Sequence, residues 1–174
     1  MNQWYMLTVV GRDRPGIVAQ LTSALYEGGC NLGEASMLRL RRNFTILLMA
    51  QFSGSMEALE ALVRPVADAL ALCLHIEPLE GDLHEPRDPP DVRITVHGAD
   101  RAGIVARVTG ALAAAGLDIL DLGSDVAGSE QQPIYVMYID GYATQGIEAL
   151  RTALATVGVE GIVVHIEPIQ TFSC

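Results

Sequence analysis

The feature that most constrains this chain is that a stretch near its start is written again 87 residues later. Residues 7–32 laid over 94–119 without a gap agree at thirteen of twenty-six positions, where unrelated sequences of ordinary composition share roughly one or two. The matches include Thr8/Thr95, Gly11/Gly98, Asp13/Asp100, Arg14/Arg101, Gly16/Gly103, Ile17/Ile104, Leu25/Leu112 and Gly29/Gly116. Farther on, His75-Ile76-Glu77-Pro78 returns as His165-Ile166-Glu167-Pro168 at an offset of 90. The second copy has therefore gained a net three residues in between, and the polar run 128–133 is the expected place.

Between the copies, residues 80–90 are rich in proline and acid and carry no apolar period, which marks a linker. The expected organisation is a domain at 1–79, the linker at 80–90 and a second domain at 91–174. Units of about eighty residues are small for autonomous folding, so they are expected to pack on each other or on a second chain.

Within the first copy, residues 4–10 are aromatic and β-branched and predict a strand ending at Gly11. Ile17, Val18, Leu21 and Leu25 share one helical face, and Gly28-Gly29 supplies the stop. Residues 31–40 and 44–52 predict a hairpin turning at Arg42-Asn43. Ser55 is placed to cap a second helix striped by Leu59, Leu62, Val63, Val66 and Leu70, in which Pro65 must either introduce a kink or sit awkwardly. A strand at 72–76 closes the unit. The second copy repeats the scheme with a strand at 92–96 and a helix through Ile104, Val105, Val108 and Leu112. A hairpin over 117–140, a helix through Ile147, Leu150, Leu154 and Val157 and a strand at 161–166 complete it. The predicted class is α+β: two ferredoxin-like βαββαβ domains, each an antiparallel sheet with both helices on one face.

Twenty-one acidic against eleven basic residues leave a net charge of −10, which repels a polyanion and argues against direct nucleic-acid binding. The longest apolar stretches are interrupted well short of the roughly 18 residues a membrane span needs. With no basic head at the N-terminus to suggest a signal peptide, a cytoplasmic protein is expected. Cys30, Cys73 and Cys174 form no Cys-x-x-Cys pair; Cys30 and Cys73 read as small core residues. His75, His84, His97 and His165 show no metal-ligand spacing, and His75 and His165 are expected to serve equivalent strand positions. Neither a nucleophile motif nor a cofactor motif is present, so no catalytic residue, cofactor or metal is assigned. The basic cluster Arg39, Arg41 and Arg42 reads as a solvated hairpin edge that discourages sheet aggregation.

The chemistry concentrates in one loop, written as Gly11-Arg-Asp13-Arg14-Pro15-Gly16-Ile17 and again as Gly98-Ala-Asp100-Arg101-Ala102-Gly103-Ile104. Glycines there permit a tight turn and close approach of a ligand. Asp13 or Asp100 is positioned to cap the helix, Pro15 suits its first turn, and free amides at the helix start attract a carboxylate. Capping alone accounts for the aspartates but leaves Arg14 and Arg101 unexplained.

This loop, the Gly-Gly-Cys-Asn31-Leu that follows the helix, and the doubled βαββαβ pattern resemble the ACT domain. The tandem arrangement over 3–79 and 91–170 is similar to the glycine cleavage system transcriptional regulator (repressor) family. The resemblance implies that a small amino-acid effector binds where the first loop meets a neighbouring domain, often across a side-by-side dimer sheet. It maps ligand binding to Gly11, Asp13, Arg14, Pro15, Gly16, Ile17 and Asn31, and to Gly98, Asp100, Arg101, Gly103 and Ile104. The second copy departs at Ala102 and at Asp118, whose charge near the loop would repel an effector carboxylate, so the first site is the better candidate. The implied function is a homodimeric, non-enzymatic regulator that senses a small amino acid and acts through a protein partner, either a transcription regulator or an enzyme. The alternative is a ligand-free interaction module docking on a metabolic enzyme or regulator. Similar domains also precede catalytic ones, as in formyltetrahydrofolate deformylase.

Overall fold

The structure, a computed structural model, describes residues 2–80, 88–99, 103–129, 132–156 and 161–169. The chain divides into two compact units, Met1–Glu85 and Pro86–Cys174. The first runs β1 (Gln3–Arg12), α1 (Ile17–Glu27), β2 (Asn31–Leu40), β3 (Asn43–Phe52), α2 (Met56–Ala69) and β4 (Cys73–Pro78). The second runs β5 (Val92–Ala99), α3 (Ile104–Ala114), β6 (Leu117–Ser129), β7 (Gln132–Ala143), α4 (Ile147–Thr156) and β8 (Ile162–Pro168). Their sheets have strand orders β2-β3-β1-β4 and β6-β7-β5-β8, and every neighbouring pair is antiparallel.

Alternation along the strands fixes which face is buried. Tyr5, Leu7 and Val9 of β1 and Phe44, Ile46, Leu48 and Ala50 of β3 point inward, where they join Ile17, Leu21 and Leu25 of α1 and Leu59, Val63 and Ala67 of α2. Both helices therefore cover one face and leave the other open. The second core repeats this with Ile94, Val96, Met137 and Ile139 beneath Ile104, Val108, Leu112 and Leu150. Of the residues expected on the fourth helical stripe, Val157 lies outside the described residues, as does most of the linker, residues 81–87.

The ladders locate the extra residues of the second copy. Met6 opposes Met49, and Arg93, offset by 87 from Met6, opposes Asp140, offset by 91 from Met49. The hairpin thus carries four more residues in the second unit, and the segment after it one fewer. The hairpin β2–β3 turns one residue earlier than expected, at Arg41-Arg42, with Arg41 at φ 54. No glycine or asparagine marks that position, so nothing local to the sequence announces a left-handed residue there.

Ser55 caps α2 as expected, its Oγ accepting from Ala58 N at 3.3 Å. Pro65 stands inside this helix, which continues to Ala69, so the ring removes an amide donor from the ninth residue after the helix start. Pro65 is exposed. Replacing Pro65 with Ala is expected to stabilise the first unit by about 2 kcal/mol, read as a higher denaturant midpoint. An unchanged or lower midpoint would show that the proline is accommodated without cost.

Cys30 is buried, and burial pushes its thiol above the ordinary range. Cys73 departs from the core expectation: it begins the edge strand β4 on the open face and is exposed. Under native conditions a thiol reagent followed by peptide mapping is expected to label Cys73 readily and Cys30 only on unfolding. Equal labelling of both would contradict this core packing.

Candidate functional site

The loop after β1 is built differently from a side-chain-capped helix start. Gly16 occupies the N-cap of α1 at φ 87 with no side-chain hydrogen bond, and its carbonyl accepts from Gln20 N at 3.0 Å. Asp13 does not cap α1, correcting that expectation, and Pro15 precedes the cap instead of entering the first turn. Only glycine holds this left-handed angle without strain. The first-turn amides of α1 consequently face outward with no capping side chain, presenting the positive end of the helix dipole.

Asp13 is fixed from the hairpin. Its amide donates to Arg42 O at 2.8 Å, and its carboxylate accepts from Arg39 Nη1 at 3.3 Å. The Arg39–Asp13 ion pair is largely solvent-facing, so its role is to position the loop and offset the carboxylate's charge more than to stabilise the fold. Arg14 is exposed and makes no ion pair among the described residues. Arg39, expected as a solvated edge residue, finds its partner 26 residues away, a separation that no local pattern reveals.

Asp13, Arg14, Gly16, Ile17, Val18, Ala19, Met37 and Phe44 line a cleft of ~320 Å³. Ile17 and Phe44 form a buried apolar floor, and Met37 and Val18 are exposed walls. With Asp13 already paired, the uncompensated charges here are the Arg14 guanidinium and the helix start. The arrangement suits a small molecule with a carboxylate and an apolar body.

Three expected members, Gly11, Pro15 and Asn31, do not line this cleft. A Cβ on Gly11 would run into Leu72 Cδ2, so this glycine lets β1 approach the start of β4 and does not face a ligand. Asn31 opposes Gln51, which opposes Trp4, so it sits at the other end of the sheet, about 23 Å along the strand from Gly11. Helix α1 runs back along β1, and whatever follows it returns to where β1 began. Asp118 likewise opposes Tyr142, far from Gly98 opposite Tyr135, so its charge does not bear on the second loop.

In the second unit Gly103 repeats the N-cap at φ 87 without a side-chain bond, and Ile104 is buried beneath it. Asp100, Arg101 and Ala102 lie outside the described residues. Gly98 answers to packing, since a Cβ there would strike the Gly161 carbonyl. By ladder position, Val126, Ser124 and Tyr135 stand where the first unit has Arg39, Met37 and Phe44. The second loop therefore has no arginine at the Arg39 position, and the two sites are chemically unequal.

His75 and His165 oppose Thr8 and Thr95, the equivalent positions expected of them. His97 stacks on His165 with ring centroids 5.3 Å apart. Among the described residues no three His, Cys, Asp or Glu side chains converge as metal ligands, and no helix is long and apolar enough to cross a membrane.

Comparison with known proteins gives a consistent family. The model of the ACT domain matches residues 4–77 and again 91–159. The glycine cleavage system transcriptional repressor of Escherichia coli (strain K12) is 26% identical over 140 residues, spanning 79% of this chain and 73% of that protein. The solved structure of an unknown protein from Galdieria sulphuraria superposes with a TM-score of 0.77 at 22% identity, over 98% of this chain and 100% of the other. A putative glycine cleavage system transcriptional repressor superposes with a TM-score of 0.76 at 17% identity, over 98% and 99%. At those identities the superpositions establish a shared fold.

Proposed function

This chain belongs to the ACT domain family, and from that premise we propose that it is a non-enzymatic regulator whose first unit senses a small amino acid. The observation that carries this reading is the cleft at the β1–α1 loop, where Arg14 and an uncapped helix start meet above an apolar floor. The effector's carboxylate would sit against Arg14 and the amides of α1, and its side chain against Ile17, Met37 and Phe44. Arg39 keeps Asp13 from opposing that carboxylate.

The output is a change in affinity for a protein partner, a transcription regulator or a metabolic enzyme. The net charge of −10 makes direct contact with nucleic acid unfavourable, so any effect on gene expression is indirect. The distant kinship to a glycine cleavage system transcriptional repressor points to amino-acid metabolism, with the protein acting in the cytoplasm.

The test is a thermal-shift screen of the full chain against the twenty amino acids at millimolar concentration, followed by calorimetry on any hit. At a hundredfold excess over Kd a specific ligand adds about 2.7 kcal/mol to the stability of the state that binds it. One or a few small amino acids are expected to raise the melting temperature. Absence of a shift with all twenty would remove the sensing role and leave a ligand-free interaction module.

A further inference from the structure

The chain contains no lysine, and five of its eleven basic residues gather at one end of the first unit. Arg12 ends β1, Arg14 follows in the loop, and Arg39, Arg41 and Arg42 stand at the end of β2 and in the hairpin turn; all five are exposed. The hydrogen bond from Asp13 N to Arg42 O at 2.8 Å ties the two segments together. Arg12 and Leu40 both oppose Asn43, so the ends of β1 and β2 lie about 10 Å apart across β3. Asp13 is the single carboxylate in these segments and already pairs with Arg39, while Asp68, near the end of α2, bears on Arg64 instead. Arg12, Arg14, Arg41 and Arg42 make no ion pair among the described residues. The rest of the chain sets six arginines against twenty carboxylates, which makes this end a positive island on an acidic body. The second unit has Ala99 and Val126 where the first has Arg12 and Arg39, and no arginine between Gly128 and Pro133. Its longer hairpin does without the basic cluster, so protection of a sheet edge does not account for an excess of one sign.

We propose that this arginine-rich end of the first unit is the docking surface for the protein partner, and that it receives an acidic segment carrying apolar side chains. The inference rests on the proposed function only for the existence of a protein partner; no effector need be bound. Charge and surface chemistry identify the occupant. Guanidinium forks bond carboxylates in bidentate fashion, and the opposite potentials speed the encounter. Leu38 and Leu40, 53% and 61% exposed, stand beside the arginines on β2. A nucleic acid answers the charge but not the leucines, and a polyanion longer than the island runs onto the acidic remainder of the chain, which repels it. A short peptide segment answers both and ends where the island ends.

Fluorescence anisotropy of the full chain with a labelled peptide of glutamates interspersed with leucines tests this, with no amino acid added. The peptide is expected to bind, more weakly as salt rises, and to lose affinity when glutamine replaces glutamate or serine replaces leucine. Arg12→Glu and, independently, Arg41→Glu combined with Arg42→Glu are expected to weaken binding at least tenfold. Arg107→Glu, at an exposed position of α3, makes the same change of net charge as Arg12→Glu and should leave binding unchanged. Circular dichroism of each variant confirms the fold, and two separate substitutions guard against one failing to fold. The proposal is overturned if the peptide does not bind, if salt or both charge reversals leave its affinity intact, if Arg107→Glu weakens it as much, or if the glutamine peptide, the serine peptide or oligothymidylate binds equally well. It is also overturned if the chain dimerises and charge reversal at Arg41 and Arg42 dissociates the dimer, since the occupant is then a second copy. None of these readouts uses an effector, so a failure here leaves the amino-acid thermal shift standing, and a failed thermal shift leaves the peptide result standing.

Discussion

Arg14→Ala is expected to abolish the stabilising response to an amino-acid effector while leaving the melting temperature of the free protein unchanged. Arg14 is exposed and makes no ion pair among the described residues, so removing it costs the fold little. A charge-assisted hydrogen bond to a carboxylate contributes about 2 kcal/mol, and its loss weakens binding roughly thirtyfold. Arg14→Lys should recover only part, since an ammonium cannot reproduce the planar fork of a guanidinium. Arg101→Ala should leave the response intact, because the second loop has Val126 where the first has Arg39. Calorimetric titration of the three variants decides. Equal affinity for wild type and Arg14→Ala would place the effector elsewhere.

Leu25→Ala and Leu112→Ala are expected to have the largest effects on stability. These residues stand at equivalent points of α1 and α3, and each is 0% exposed within its own core. Truncation leaves a cavity that the packed sheet cannot close, and costs about 3 kcal/mol. For units of about eighty residues that lowers the melting temperature by roughly 12–24 °C. Because each core cluster draws on one unit alone, hydrogen exchange should quicken in β1 and β3 for Leu25→Ala and in β5 and β7 for Leu112→Ala. Protection that is unchanged in the mutated unit would contradict the packing described.

The fold was legible in the sequence for a physical reason: a duplicated pattern had to satisfy one core geometry twice, so the period of Ile17, Leu21 and Leu25 and its echo at Ile104, Val108 and Leu112 reinforced each other. What stayed hidden was set by contacts across the sheet. The pairing of Asp13 with Arg39 depends on a hairpin 26 residues away, and Met37 and Phe44 join the cleft through the same hairpin. Asp118 stands far from the loop because α3 carries the chain back to the opposite end of the sheet, and Asn31, assigned through the family resemblance, stands at the corresponding end of the first sheet. The N-cap was misread because an aspartate in such a loop is an ordinary cap, and only the φ of Gly16 shows that the backbone takes another course. Cys73 was placed in the core on residue type, although alternation along β4 turns it outward.

The hydrogen bond from Asp13 N to Arg42 O has a mechanical consequence. The loop is hinged to the tip of the β2–β3 hairpin, and β2 is the marginal strand of its sheet. A molecule drawn toward Arg14 therefore pulls on a beam that is bonded along one side only. As an edge strand it can shift without breaking the ladders that join β1 to β3 and β4, so strain at the loop travels outward to the rim and spares the core.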